Sequence, residues 1–393
     1  MITDKLDNEW SLLQEDLKNE KISYLEKCLS ECKGQGVFIF GVNPHWINVI
    51  KEQLAYLKKY DIKVINFVDN NMSLKGERVF GIEIVSPEVL EDQNDPIVII
   101  NAYPVLEIRK QLLRKGIKRI YHVPRIGSRI AGHDWMDGRL FADNLSKIKL
   151  VYDILDDDLS RRIFLNRVLV SRDGDFAHYN SSVEGLCYYG KGGEINMDDV
   201  YFRSDIIPLS NNMVYVDVGA FDGDSTECFI KNRSGKFHHI LCFEPDTINY
   251  EKTKTKFQSY NNIDMFNYGL SDKDEVGYLE GVGTEGAKMV KHIQEKGVNF
   301  QQINNRTLDS LNLQEVTLIK MDIEGYEMNA LVGMKETLKR CCPSLAICLY
   351  HRPEHLWEIP LMLKQINHDY KIKLRQYSKS ITEIICYAVM SVV

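Results

Sequence analysis

Apolar residues recur in this chain at two alternating periods, and the alternation runs through most of its length. Over residues 4–32, leucines, an isoleucine and Trp10 fall at helical spacing, which predicts a helix or helix pair ending before Lys33-Gly34-Gln35-Gly36. From Val37 short, continuous apolar runs take over. Those at 37–40, 64–68, 97–100 and 119–123 predict buried strands, and stretches at 44–60 and 105–115 predict the helices between them. Strands alternating with helices build a parallel sheet. Between 125 and 205 glycine, aspartate, asparagine and tyrosine rise and helical spacing survives only around 147–170, which predicts a linker with a helical lid. Strand runs then resume at 214–218, 239–243, 316–319 and 344–348, followed by two more at 370–377 and 384–389. The expected fold is α/β with two doubly wound sheets. Its parts are a helical segment over 1–33, an accessory domain over 34–130, the linker and lid over 131–205, and a second α/β domain over 206–393.

Composition narrows the class. With 393 residues, 44% of them hydrophobic and 27% charged, the chain can bury cores in two or three domains. No apolar run nears the ~18 residues that span a bilayer, and Met1 to Trp10 lack the basic-then-apolar layout of a leader, so a cytoplasmic protein without a membrane span is expected. The nine cysteines show no C-x-x-C and no histidine partners at metal spacing, so reduced thiols are expected. A net charge of −7 argues against nucleic acid as partner. No internal repeat marks a scaffold.

The chemistry concentrates in Val214-Tyr-Val-Asp217-Val-Gly219-Ala220-Phe221-Asp222-Gly223-Asp224-Ser-Thr226, a strand running into a glycine-containing turn before a helix. Ligands of open α/β sheets bind at such a turn. A pyrophosphate would be repelled by Asp217, Asp222 and Asp224, and the spacing is G-x-x-x-G, so a cationic nucleoside such as S-adenosylmethionine fits better. Twenty-one residues beyond Gly223, the run 239–243 ends in Glu244-Pro245, where a carboxylate can take both ribose hydroxyls. In the accessory domain the turn at Gly41 holds one glycine where a dinucleotide site wants three, although Asp69 lies where a ribose-binding acid could be.

Five segments in order, Val216 to Ser225, Phe243-Glu244-Pro245, Asn267 to Asp272, Thr307 to Leu311 and Leu318 to Glu327, resemble the FkbM family of S-adenosylmethionine-dependent methyltransferases. The resemblance covers about residues 150–393, with Leu155 to Ser160 and Tyr201-Phe202 similar to the family's lead-in. It implies a class I methyltransferase fold with a mostly parallel seven-stranded sheet, closed by an antiparallel final hairpin. It also implies O-methylation of a hydroxyl on a sugar, glycolipid or polyketide, hence a small-molecule or glycan acceptor. The implied cofactor residues are Asp217, Gly219, Ala220, Phe221, Gly223, Asp224, Glu244, Pro245, Gly269, Leu270 and Asp322. The accessory domain is similar to small Rossmann-like domains of bacterial sugar-modifying proteins, with docking, substrate presentation and a structural or homodimer-forming role all open.

A sulfonium methyl is already electrophilic, so transfer needs an aligned nucleophile and a route for its proton. Asp322 and Glu324 alternate at a strand exit and so should converge on one ligand: cofactor ammonium, acceptor hydroxyl or a divalent cation. His351, after the run 344–348, is the expected base, helped by Glu324, because imidazole titrates near neutrality. Arg352, His355 and Tyr326 are the candidate acceptor contacts, and Trp357 reads as core. The polar, aromatic stretches 173–180 and 188–193 could cover the acceptor, and 281–288 reads as a loop at the same edge. Two other classes stay open, a nicotinamide-dependent sugar dehydrogenase or epimerase and a non-catalytic binding protein of glycan biosynthesis.

Overall fold

A computed structural model describes residues 2–19, 23–42, 47–102, 104–123, 126, 133–181, 200–283, 287–290, 300–379 and 381–390. The chain divides into two compact units. The first comprises Met1–Tyr152, Asp158–Glu194 and Gln376–Glu383, and the second Asp153–Asp157, Ile195–Arg375 and Ile384–Val393.

The first unit holds a six-stranded sheet in the order β3-β4-β2-β1-β5-β6. Its strands are β1 (Gly36–Phe40), β2 (Lys63–Val68), β3 (Arg78–Val79), β4 (Ile82–Val85), β5 (Ile97–Ile100) and β6 (Arg119–His122). Pairing is parallel throughout except between β3 and β4, which form a short antiparallel hairpin. All four residues of β5 are buried, which explains a continuous apolar run where a one-faced strand would alternate. Phe38, Phe40, Val98, Ile100, Ile108 and Leu112 form the core between sheet and helix Val105–Arg114. Asp69 accepts from the Val42 and Asn71 amides at 3.1 and 2.8 Å, closing the turn after β1. Residues 43–46 of that turn lie outside the described residues.

The helices Gly138–Asp143, Leu145–Ile154 and Asp158–Asp173 differ from the expected linker and lid. The last of them packs on Ile2–Asn19 within the first unit, and Trp10 stacks on Tyr152 with centroids 4.7 Å apart. Its apolar stripe Ile163, Phe164, Leu165 and Val168 is fully buried, which gives the stretch a core to join. Buried Arg167 lies over the Trp135 ring at 3.7 Å and donates to the Ile381 carbonyl at 2.7 Å, tying 376–383 to this unit. The expected acceptor cover at 188–193 lies outside the described residues.

The second unit holds a seven-stranded sheet in the order β16-β17-β15-β14-β7-β8-β9. Its strands are β7 (Val214–Val218), β8 (His239–Phe243), β9 (Ile263–Phe266), β14 (Leu318–Met321), β15 (Ser344–Cys348), β16 (Lys371–Gln376) and β17 (Ile384–Val389). The five strands from β9 to β15 run parallel and β17 pairs antiparallel with β15, as the resemblance implied. A second sheet, absent from the sequence expectation, comprises β10 (Gly269–Leu270), β11 (Glu275–Glu280), β12 (Lys288–Val290) and β13 (Phe300–Arg306) around Leu279, Met289 and Ile303. The chain leaves β7 toward β8 on one side, while β14 lies on the other. That reversal opens a crevice at the C-terminal ends of β7 and β14.

Candidate active site

At the end of β7 the backbone is built for close approach. Gly219 has φ +83°, and a Cβ there would lie 2.0 Å from the Asp322 carbonyl oxygen, so only glycine lets the exits of β7 and β14 touch. Phe221 also takes a left-handed conformation, φ 48°, and Gly223 at φ +80° opens helix Asp224–Asn232. Ala220 is buried, whereas Asp222 and Asp224 stand exposed at the turn.

Asp217 differs from its expected role. It is fully buried, its Oδ2 accepts from the Ser225 and Thr226 hydroxyls at 2.6 and 2.7 Å, and its Oδ1 lies 3.1 Å from Lys320 Nζ. Lys320 also donates to the Gly219 carbonyl at 2.6 Å. Burial works against the ammonium, but Asp217, Asp322 and Asp224 outweigh it and hold Lys320 above its ordinary range. Asp217 is therefore neutralised from within the sheet and shapes the turn. The sequence carried a signal for this partner, since one lysine in an otherwise apolar strand needs a buried acid beside it.

Glu244, at the end of β8, is also buried. Its two oxygens accept from the Phe221 amide at 2.8 Å and the Asp246 amide at 2.9 Å. Burial pushes its carboxyl up to about 7 despite those two donors. Asn267 Nδ2 donates to the Glu244 and Pro245 carbonyls at 3.0 and 3.2 Å, fixing the end of β9 against this turn. Gly269 and Leu270 follow two residues later. They pair with Asn305 and Arg306 in the smaller sheet, and a Cβ at Gly269 would meet Met289 Sδ at 2.6 Å.

Across the crevice, Asp322, Glu324 and His351 place one ligand atom each within 4.8 Å of one another. Their convergence does not come from strand alternation, because β14 ends at Met321; Glu324 instead turns back through φ 54° ahead of Gly325 at φ +100°. A left-handed glutamate is a strained conformation of the kind functional sites retain. Tyr201 and Tyr350 donate to Asp322 Oδ2 at 3.0 and 3.3 Å. His351 Nδ1 bonds Glu327 Oε1 at 2.7 Å, and its Nε2 faces Asp322 Oδ1 at 3.3 Å and Glu324 Oε1 at 3.6 Å. Burial disfavours its charge, yet Glu327 and Glu324 hold the imidazole well above its ordinary range.

Glu327 is a residue that the sequence did not single out. It is fully buried, accepts from the Ile323 amide at 3.1 Å and lies 3.2 Å from His355 Nδ1. Two histidines hold its carboxyl well below the ordinary range against the effect of burial. His355, 2% exposed, is thus committed to Glu327 rather than to an acceptor. Tyr326 packs against the cluster of Leu279, Met289 and Ile303, and Trp357 is core. Arg352 remains at the rim, its stem against Gly325 and its head exposed.

A family model described as Methyltransferase FkbM domain matches residues 217–374, and one described as C2185-like, N-terminal matches 34–121. The 2-O-methyltransferase NoeI of Sinorhizobium fredii is 25% identical over 172 residues, covering 39% of this chain and 69% of that protein. The crystal structure of methyltransferase FkbM from Methylobacillus flagellatus KT superposes with a TM-score of 0.74 at 20% identity, covering 99% of each chain. No described helix is long and apolar enough to cross a membrane. The crevice at the ends of β7 and β14, with Glu244 on one side and the Asp322 cluster on the other, lies within residues 217–374, the segment that the methyltransferase FkbM model matches, and the chain is a methyltransferase.

Proposed function

We propose that the second unit binds S-adenosylmethionine at the ends of β7 and β8 and transfers its methyl group to a hydroxyl of a sugar-containing acceptor. The observation that carries this reading is the placement of Glu244 and the Asp322 cluster on opposite sides of one topological switch point. The first suits ribose hydroxyls, and the second suits an acceptor that must shed a proton. The exposed carboxylates of Asp222 and Asp224 complement the positive charge of the cofactor, and Arg352 at the rim can donate to acceptor hydroxyls. In the transfer, the acceptor oxygen forms its bond to the methyl carbon as the carbon–sulfur bond breaks and the electron pair stays on sulfur. The hydroxyl proton leaves at the Asp322–Glu324–His351 cluster. The oxygen acceptor follows the relative named a 2-O-methyltransferase, and the sugar class follows the family resemblance of the sequence.

The test is to supply S-adenosylmethionine with a radiolabelled methyl group and a panel of neutral oligosaccharides and nucleotide sugars. Label retained after mild alkali is expected, as for an ether. Label released by alkali would indicate a carboxylate acceptor and contradict the assignment.

A pH dependence follows from Glu244. Ribose hydroxyls are best accepted by the ionised carboxylate, so with a free-protein value of about 7, affinity for S-adenosylhomocysteine should rise from pH 6 to 8. The gain is at most about tenfold per unit below that value and levels off above it. Glu244→Gln should bind more weakly and without this slope. A pH-independent affinity in the unaltered protein would show that Glu244 does not face the ribose.

A further inference from the structure

We propose that Asp322, Glu324 and His351 bind a divalent cation, and that this cation activates the acceptor hydroxyl. The inference deepens the methyltransferase reading and rests on it for the role of the ion, though not for its binding. Three donors from two strand exits lie within 4.8 Å of one another, close enough to share one ion. The second observation is His351 Nε2. Its side chain is 3% exposed, Nε2 makes no hydrogen bond of acceptable geometry, and it points between two carboxylate oxygens at 3.3 and 3.6 Å. Those separations are long for hydrogen bonds and match the edges of a coordination shell whose bonds are about 2.0–2.2 Å.

The surroundings prepare the imidazole as a ligand. Glu327 takes the Nδ1 side at 2.7 Å, which fixes the proton there and leaves the Nε2 lone pair facing the two acids. Glu327 is itself held by the Ile323 amide and flanked by His355, so the ring cannot turn without breaking a buried network. Tyr201 and Tyr350 orient Asp322 from behind. The Asp322 and Glu324 side chains keep 24% and 25% exposure, so one side of the cluster stays open for water and an acceptor oxygen. Two carboxylates and one imidazole are a donor set for magnesium or manganese rather than for thiophilic ions.

Chemically, the cation polarises a hydroxyl bound beside the cluster and lets its O–H bond break, with the proton passing to solvent water. Methyl transfer then proceeds as above, with the electron pair of the carbon–sulfur bond left on sulfur.

Titrating manganese(II) into metal-stripped full-length protein, followed by loss of the free-ion paramagnetic resonance signal, tests the site. Calorimetry with S-adenosylhomocysteine runs in parallel on the same samples. One saturable site per chain is expected, weakened at least about tenfold in Glu324→Gln and in His351→Ala, with S-adenosylhomocysteine affinity retained in Glu324→Gln as proof of a folded crevice. Absence of a saturable site, or an affinity unchanged in both variants, would overturn the proposal. Manganese bound without S-adenosylhomocysteine would sustain the metal site and remove the cofactor reading; the reverse would remove the metal site alone.

Discussion

Replacing Lys320 with methionine is expected to lower the stability of the chain by about 3–5 kcal/mol, the usual range when one partner of a buried ion pair is removed. The Lys320 side chain is 5% exposed and that of Asp217 is not exposed at all, so water cannot take over the role of the ammonium. Methionine keeps the packing of the stem but leaves the Asp217 charge with neutral hydroxyls such as those of Ser225 and Thr226, and it leaves the Gly219 carbonyl without the Lys320 donor. Lys320→Met combined with Asp217→Asn should recover a large part of the loss, because the uncompensated charge goes with the second change. Denaturant midpoints of the two single variants and the double variant measure this. A double variant no more stable than Lys320→Met would mean that the lysine acts through the Gly219 turn instead of through Asp217.

The second large effect is on catalysis. His351→Ala should reduce turnover by about two to four orders of magnitude, the range for loss of a group that handles the proton of the reacting hydroxyl. Affinity for S-adenosylhomocysteine should persist, since Glu244 and the turn after β7 lie on the opposite side of the crevice. His355→Ala, although its ring touches the same Glu327, should act mainly on stability, because the ring is buried behind the cluster. Steady-state kinetics on the true acceptor would separate the two. Normal turnover in His351→Ala would remove the cluster from the mechanism, whether the imidazole serves as ligand or as proton acceptor.

The sheet that positions these residues was legible because β7, β14 and β15 are buried on both faces and read as short, mostly apolar runs. The smaller sheet was not. β13 runs Phe300–Arg306 with glutamine and asparagine at most positions and buries only Ile303 and Asn305, so no apolar run announces it. Helix Asp158–Asp173 shows a stripe in sequence, but a stripe does not say which partner covers it, and a lid was inferred where the structure shows core. Around the candidate site, the placement of Glu244 and Asp322 at strand ends was legible from the runs that precede them. The role of Glu327 was hidden because its partners His351 and His355 come from beyond the next strand. The left-handed backbones of Phe221 and Glu324 have no sequence signature of the kind glycine gives.

The central claim is that Glu244 and the turn after β7 form the cofactor site, and calorimetric titration with S-adenosylhomocysteine tests it most directly. Oxidised nicotinamide adenine dinucleotide is the control ligand, and the unaltered protein runs beside Glu244→Ala. Saturable binding of S-adenosylhomocysteine, strongly weakened in Glu244→Ala, with no heat from the dinucleotide, is the predicted result. Binding of the dinucleotide alone, or S-adenosylhomocysteine affinity unchanged in the variant, would contradict it.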